Sequence, residues 1–260
     1  MKRNSPDLWD KVWSDSGLNR KDKLILAAEE ATIRWSRLYQ ILLKELGTLQ
    51  KKKVIEIGSG MGTYAALMAS KGARATLLDY SSSALRRAKE FFDNNELSAR
   101  LVKGDALNLP EEIKREKFDI SISGGLTEHF IGKKRLQINK VHLDVLKKGG
   151  IAVIIVPNKY NPPYRIFKFI AELTGTWQYG EEYPYSRREL KSLVQELDAE
   201  YIALFGDNLY SSIKFLLPAN CLRRIFGVGF PTSFLKIKRE RGTIFDNYLS
   251  YGLVLVMRKK

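Results

Sequence analysis

The sequence predicts an α/β fold in which a parallel sheet carries helices on both faces, and three observations lead there. A β-branched run, Val54-Ile55-Glu56-Ile57, meets a glycine-rich turn, Gly58-Ser59-Gly60-Met61-Gly62, and then a run of helix formers, Ala65 to Ala69. Strand-length apolar runs go on alternating with amphipathic stretches as far as residue 157, the rhythm of strand–helix–strand units. An acid stands in the first of these strands, Glu56, and just after each of the next two, Asp79 and Asp105.

From the N-terminus, Leu8, Trp9, Val12 and Trp13 fall at helical spacing and give a short amphipathic segment over residues 7–14, with a loop over 14–20. Between residues 22 and 46, Ala31, Trp35, Leu38, Leu42 and Leu46 recur every three or four positions, predicting one long helix closed by Gly47. The strand at 54–57, its glycine turn and a helix ending near Gly72 follow, glycine being the usual residue past a helix C-cap. Residues 74–78 form the second strand, and Ser81 to Ser83 can cap a helix running through Leu85, Ala88, Phe91 and Phe92. Residues 99–103 are the third strand. Residues 118–123 are the fourth, opening into Gly124-Gly125 and a helix from about 128 to 146. Lys147-Lys148-Gly149-Gly150 turns into the most apolar strand, 151–156.

After residue 157 the texture changes. Residues 158–185 are rich in proline and aromatic side chains, with a helix over 164–173; a second helix covers 186–197 and a strand 200–205. Residues 207–245 mix apolar and basic residues without a clean period, and 248–257 closes the chain as a strand. The organisation predicted is an N-terminal helical segment or lid, residues 1–48, and an α/β domain, 49–260, with insertions at 158–185 and 206–246.

At 260 residues the chain is long enough for one such domain with additions. Its single cysteine, Cys221, excludes an internal disulfide framework and fits a reducing compartment. No apolar run reaches membrane-spanning length, and no apolar stretch follows Lys2-Arg3, so a cytoplasmic location is expected. The formal charge of +15 invites a nucleic-acid partner. The basic residues are dispersed, however, and many alternate with glutamates on helix faces, where solvation is the ordinary role.

The three acids narrow the chemistry. A dinucleotide fingerprint of the form G-x-G-x-x-G would need its third glycine at Thr63, whereas Gly58, Gly60 and Gly62 spell G-x-G-x-G. Glu56 beside that turn is awkward for a pyrophosphate and suits a cationic ligand. A carboxylate at Asp79 can accept from both hydroxyls of a ribose, and one at Asp105 from an exocyclic adenine amine, with the Ala106 N–H near a ring nitrogen. Singly, each acid suits a turn or an N-cap; in order at the carboxyl ends of successive strands, they describe a ligand site.

Together with Phe118-Asp119-Ile120 and Leu146 to Ile151, these segments resemble the class I S-adenosylmethionine (SAM) dependent methyltransferases, most of all the small-molecule branch that includes ubiquinone- and menaquinone-biosynthesis enzymes. The resemblance covers residues 50–157 closely and the last two strands loosely. It implies a doubly wound, Rossmann-like seven-stranded sheet with an antiparallel last strand, and SAM as cofactor. The cofactor site it implies comprises Glu56, Gly58, Ser59, Gly60, Asp79, Tyr80, Asp105, Ala106 and Ser123, with no metal. Glu128 and His129, after the fourth strand, resemble the family's Glu-His pair and are the candidate catalytic residues; a helix-start pair satisfying backbone donors is the alternative. His142, mid-helix, reads as a surface or satisfied position.

The N-P-P-Y at Asn161 to Tyr164 matches the motif of amino-methyltransferases but follows the fifth strand instead of the fourth, so it is read as the start of a substrate lid. The aromatic stretch from Tyr160 to Tyr185, and the apolar and basic stretch from Phe215 to Lys238, suit an amphipathic small molecule or contact with a membrane surface better than RNA. An RNA or protein substrate, and SAM binding without catalysis, are the rival readings.

Overall fold

The computed structural model describes residues 4–14, 22–207, 212 and 244–260. Seven strands form one sheet: β1 (Lys53–Ile57), β2 (Arg74–Asp79), β3 (Ala99–Lys103), β4 (Phe118–Gly124), β5 (Leu146–Pro157), β6 (Glu200–Gly206) and β7 (Gly252–Arg258). Their order is β3-β2-β1-β4-β5-β7-β6. Only β7 runs against the rest, pairing antiparallel with both β5 and β6. This is the predicted seven-stranded, doubly wound sheet. The strand order reverses between β1 and β4, so a crevice opens there beyond the strands' carboxyl ends, where open α/β sheets bind ligands.

Alternation along the strands sorts the core into two layers. Ile55 and Ile57 of β1 face a layer containing Val141 of α7 (Gly132–Asp144) and Leu190 and Leu193 of α9 (Arg187–Glu196). Val54 faces the opposite layer, with Trp35, Leu38 and Leu42 of α3 (Ile33–Leu46) and Leu67 and Met68 of α4 (Thr63–Ala69). A third cluster joins α4 to Phe91 and Phe92 of α5 (Ser82–Asn94). A strand buried on both faces favours a continuous apolar run, which is what β5 shows over 151–157, whereas β4, equally buried, alternates isoleucine with serine.

Four stretches depart from the sequence reading. The helix expected over 22–46 is two helices, α2 (Asp22–Glu30) and α3, because the Thr32 side chain accepts from Trp35 N at 3.1 Å and caps a new start. The helix expected over 128–146 is a single 3₁₀ turn, Thr127–His129, followed by extended backbone at Phe130 and Ile131 and only then by α7. β5 begins at Leu146 instead of 151: the Lys147–Gly150 stretch belongs to the strand, and the β4–β5 register shift between Phe118 and Ile120 accommodates it. Residues 248–257 divide into α10 (Ile244–Leu249) and β7, the corner between them held by Asn158 Nδ2, which donates to Tyr248 O and Ser250 O at 2.8 and 2.9 Å. A short helix, α6 (Glu111–Arg115), was not anticipated. Two further helices complete the described chain, α1 (Pro6–Ser14) and α8 (Pro162–Leu173).

His142 is not a surface position. It is fully buried in α7, and neither ring nitrogen has a hydrogen-bond partner among the described residues. Burial pushes its pKa down to about 3 from an ordinary 6.5. The folded protein therefore keeps it neutral while the unfolded chain takes up a proton below about pH 6.5, so stability from this group is present above that pH and is lost as pH falls toward 3. Urea denaturation of wild type and His142→Leu at pH 7.5 and pH 5.5 is expected to show the wild type losing more stability on acidification than the variant.

Candidate active site

The site is built on the turn that ends β1. Gly58 N and Ser59 N both donate to Leu78 O of β2, at 2.8 and 3.1 Å, so the turn hangs from the neighbouring strand. Gly60 has φ +53°, a left-handed backbone, and a Cβ there would collide with the indole of Trp13. No other residue satisfies both demands. Gly60 N donates to Asp79 Oδ2 at 2.9 Å while Ser81 N donates to Oδ1 at 2.9 Å, so one buried carboxylate joins the turns after β1 and β2. Burial raises the pKa of Asp79, and its backbone donors oppose the shift. Glu56, also buried, accepts from Ala65 N in the first turn of α4 at 2.7 Å, and burial pushes it up to about 8. Asp105 is exposed and accepts from Leu107 N at 2.8 Å, an Asx turn.

A cavity of about 660 Å³ runs from this turn past the end of β4 to α8. Glu56, Gly58, Ser59 and Gly60 line it from β1, with Asp79, Tyr80, Asp105 and Ala106 from the turns after β2 and β3. Ser123, the remaining predicted cofactor residue, is not on the wall; it is fully buried within β4. Ser59 Oγ lies on the wall, buried and without a partner among the described residues.

The far half of the cavity takes Glu128 and His129 from the 3₁₀ turn, Tyr164 and Phe167 from α8, and Trp177 and Glu182 from the loop beyond. The Trp177 ring meets those of Tyr164, Phe167 and Tyr179 with centroids 6.4, 6.4 and 5.4 Å apart. Glu128 is buried and its Oε2 has no partner among the described residues. Burial first, and the charge of Glu182 second, push it up to about 8. His129 Nδ1 lies 2.8 Å from Glu181 O, and burial holds its pKa below the ordinary value. Donor atoms of Glu128, His129 and Glu182 lie within 4.8 Å of one another, a convergence that the sequence reading, which foresaw no metal site, did not contain.

Glu182 and Tyr251 were missed as site residues. No period or motif marks Glu182; a backbone bond from Tyr183 N to Glu128 O, 2.8 Å, brings it to the site. The N-P-P-Y acts as a cap: Asn161 Oδ1 accepts from Tyr164 N at 2.8 Å, and its Nδ2 donates to Ser212 Oγ and Leu249 O. Its amide is spent on the fold, and of the motif only Tyr164 reaches the cavity. The acceptor-side stretch from Phe215 to Lys238, and Cys221, lie outside the described residues.

Helix α1 crosses the cavity's near side. Trp9 and Trp13 line the cavity, and Trp9 meets the His129 ring edge-on at 5.1 Å. α1 buries no residue fully and is held by polar contacts. Asp10 Oδ1 accepts from Ser81 Oγ at 2.6 Å and Ser83 N at 3.1 Å. Just before the helix, Asn4 Nδ2 donates to His129 O and Glu181 O, and Asn4 Oδ1 accepts from Glu181 N at 3.1 Å.

Residues 54–150 match the family model of the methyltransferase domain. Over those residues the chain carries a methyltransferase domain, on a sheet whose fold is shared with solved SAM-dependent methyltransferases. A ubiquinone biosynthesis O-methyltransferase of Rickettsia typhi is 25% identical over 150 residues, which is 57% of this chain and 58% of that protein's length. Among solved structures, the methyltransferase domain is similar to magnesium protoporphyrin IX methyltransferase of Synechocystis with bound S-adenosylhomocysteine (SAH), at TM-score 0.57 and 13% identity over 98% of this chain and 94% of that one. It is similar as well to a SAM-dependent methyltransferase of Archaeoglobus fulgidus, at TM-score 0.56 and 14% identity over 92% and 94%. SAM is the cofactor of this class, and the methyltransferase domain fits it: a glycine backbone open to close approach, acids on the wall, and the orphaned hydroxyl of Ser59.

If polar contacts hold α1, Asp10→Ala removes its bonds to the start of α5. Limited proteolysis of that variant is expected to cleave between α1 and α2 several-fold faster than in wild type, with the α/β domain resistant in both.

Proposed function

We propose that the chain moves the methyl group of SAM to an O, N or C atom of a small or amphipathic acceptor, bound between the turn after β4 and α8. The observation that carries this reading is the continuous cavity joining the glycine turn to an aromatic half with its own buried acid. SAM supplies a methyl on a sulfonium, open to in-line attack by an acceptor lone pair as the carbon–sulfur electrons leave onto sulfur. Asp79 would accept from the ribose hydroxyls and Asp105 from the adenine amine, while Glu56 and Ser59 face the charged end. The protein's part is positioning, exclusion of water and removal of a proton where the acceptor holds one. Glu128 suits the last role, being buried, on the cavity wall and shifted into the range of a base that works near neutral pH. His129 holds its ring against the Glu181 carbonyl and orients the turn.

Two observations favour a small acceptor over a polynucleotide. Many of the described basic residues are already paired: Lys23 with Glu96, Lys71 with Glu30, Arg100 with Glu112 and Glu116, and Lys140 with Asp144. The cavity itself is lined by Glu56, Asp79, Asp105, Glu128 and Glu182, which repel phosphate. The curated relative named above acts in ubiquinone biosynthesis, which is in keeping with an apolar acceptor. No described helix is long and apolar enough to cross a membrane. Helix α1, with Trp13 against Gly60 and Trp9 against His129, would close over both ligands as a lid.

Calorimetry is expected to show SAH binding, weakened in Asp79→Ala by about 2 kcal/mol, roughly 30-fold in Kd; unchanged affinity, or preference for NAD, would sink the assignment. Deleting residues 1–20 should raise the Kd for SAH and lower turnover while the fold is kept, and full activity in the truncated protein would remove the lid.

A further inference from the structure

Resting on that reading, we infer that the acceptor is an amine, its ammonium form held between the carboxyl groups of Glu128 and Glu182 with an aromatic or apolar body against the surrounding rings. The inference starts from charge. Two cations approach this half of the cavity and partly offset its acids, Arg135 acting on Glu128 and Lys168 on Glu182, but each forms its ion pair with another acid. Arg135 pairs with Glu189 at 2.8 Å and lies 3.4 Å over the Tyr185 ring; Lys168 pairs with Glu172 at 2.7 Å and lies 4.3 Å over the Trp177 ring. Glu128 and Glu182 have no ion-pair partner among the described residues. Glu182 accepts from Tyr164 Oη at 2.6 Å, while Glu128 lines the cavity and its buried Oε2 accepts no hydrogen bond among the described residues. A buried acid and a half-buried one held this close repel each other and are costly to ionise together, and a cationic ligand between them would relieve that cost.

The rest of the wall selects the kind of cation. Trp9, Tyr164, Phe167 and Trp177 present rings, which attract an organic ammonium through their faces and pack against its hydrocarbon. A hard divalent ion asks for about six oxygen ligands. Here only Glu128, His129 and Glu182 converge among the described residues, three donors at most, and the rings of Trp9, Phe167 and Trp177 take up much of the wall around them. An anionic acceptor would meet two acids on the wall, with Arg135 and Lys168 set behind them and off the wall.

The same pair suits the chemistry of an amine. An ammonium has no lone pair to give, so it must first pass a proton to the Glu128 carboxylate, leaving a neutral amine and a neutral carboxylic acid. The freed lone pair then forms the nitrogen–carbon bond as the methyl carbon–sulfur bond breaks, its electrons staying on sulfur as a thioether. The methylated nitrogen is again a cation, and Glu128 can return its proton to solvent as the product leaves.

The test uses full-length protein saturated with SAH and two probes of the same shape, phenethylamine and 2-phenylethanol, titrated calorimetrically. The amine is expected to bind about tenfold more tightly or better, and Glu128→Gln and Glu182→Gln should each abolish that preference while SAH still binds. Equal affinity for amine and alcohol would overturn the inference, as would an amine affinity that neither substitution changes. So would binding of Mg²⁺ or Zn²⁺ that is lost in Glu128→Gln and competes with the amine. Should wild type fail to bind SAH, the methyl-transfer reading falls, while the amine titrated alone still reads the acid pair.

Discussion

The site depends on one buried carboxylate. Asp79 receives the backbone N–H groups of Gly60 and Ser81, and so locks the turn after β1 to the turn after β2. Burying an acid is costly, and backbone donors aimed at its oxygens are what offset the cost. The lock does more than shape the floor of the cavity. Gly60 is the surface on which Trp13 rests, and Ser81 is the residue whose hydroxyl donates to Asp10, so two of the anchors of the N-terminal helix descend from groups that Asp79 positions. Floor and cover are thus one mechanical unit. A change at Asp79 would be felt at α1 as well as in the pocket.

The chain's strong positive charge and the pocket's acidity stand in instructive contrast. A formal charge of +15 describes the surface, where lysines and arginines pair with neighbouring acids or point into water. The cavity gathers Glu56, Asp79, Glu128 and Glu182, each with its pKa raised and burial as the largest cause. Net charge governs solubility and long-range encounter; the sign of the site is set by the few groups held out of water. A molecule reaching this cavity therefore meets a basic exterior first and an acidic interior second.

The sheet and the near wall of the cavity were legible because their signals are local. Val54 to Ala69 sets a strand, a turn and a helix in one short stretch, and each acid lies in or just past its own strand. The helices misjudged were those in which periodicity continued through a break: Thr32 caps in the middle of an apolar stripe, and Phe130 and Ile131 remain extended within a stretch of helical composition. Ser123 carried the right spacing, but it is fully buried in β4 and off the cavity wall, a placement that pattern alone left undetermined. Glu182 was illegible for a different reason. It reaches Glu128 through a long-range backbone pairing between an irregular loop and the 3₁₀ turn, and no single-chain period encodes such a meeting.

The same distinction bears on how the cavity opens. Helix α1 has a strongly one-sided distribution of Leu8, Trp9, Val12 and Trp13, yet none of them is fully buried. Its hold is a handful of hydrogen bonds from Asn4 and Asp10, each worth on the order of 1 kcal/mol net, together with two partly covered indoles. The α/β domain beneath it is packed through two continuous apolar layers. Opening of α1 therefore costs a small fraction of global unfolding and can occur while the sheet stays intact. Trp13 lies against the bare Cα of Gly60, so a ligand that approaches that backbone closely must move the ring aside or stack against it. Helix α1 and a ligand at this turn would thus compete for, or share, the same glycine surface, which makes the seating of α1 sensitive to what the turn below it holds.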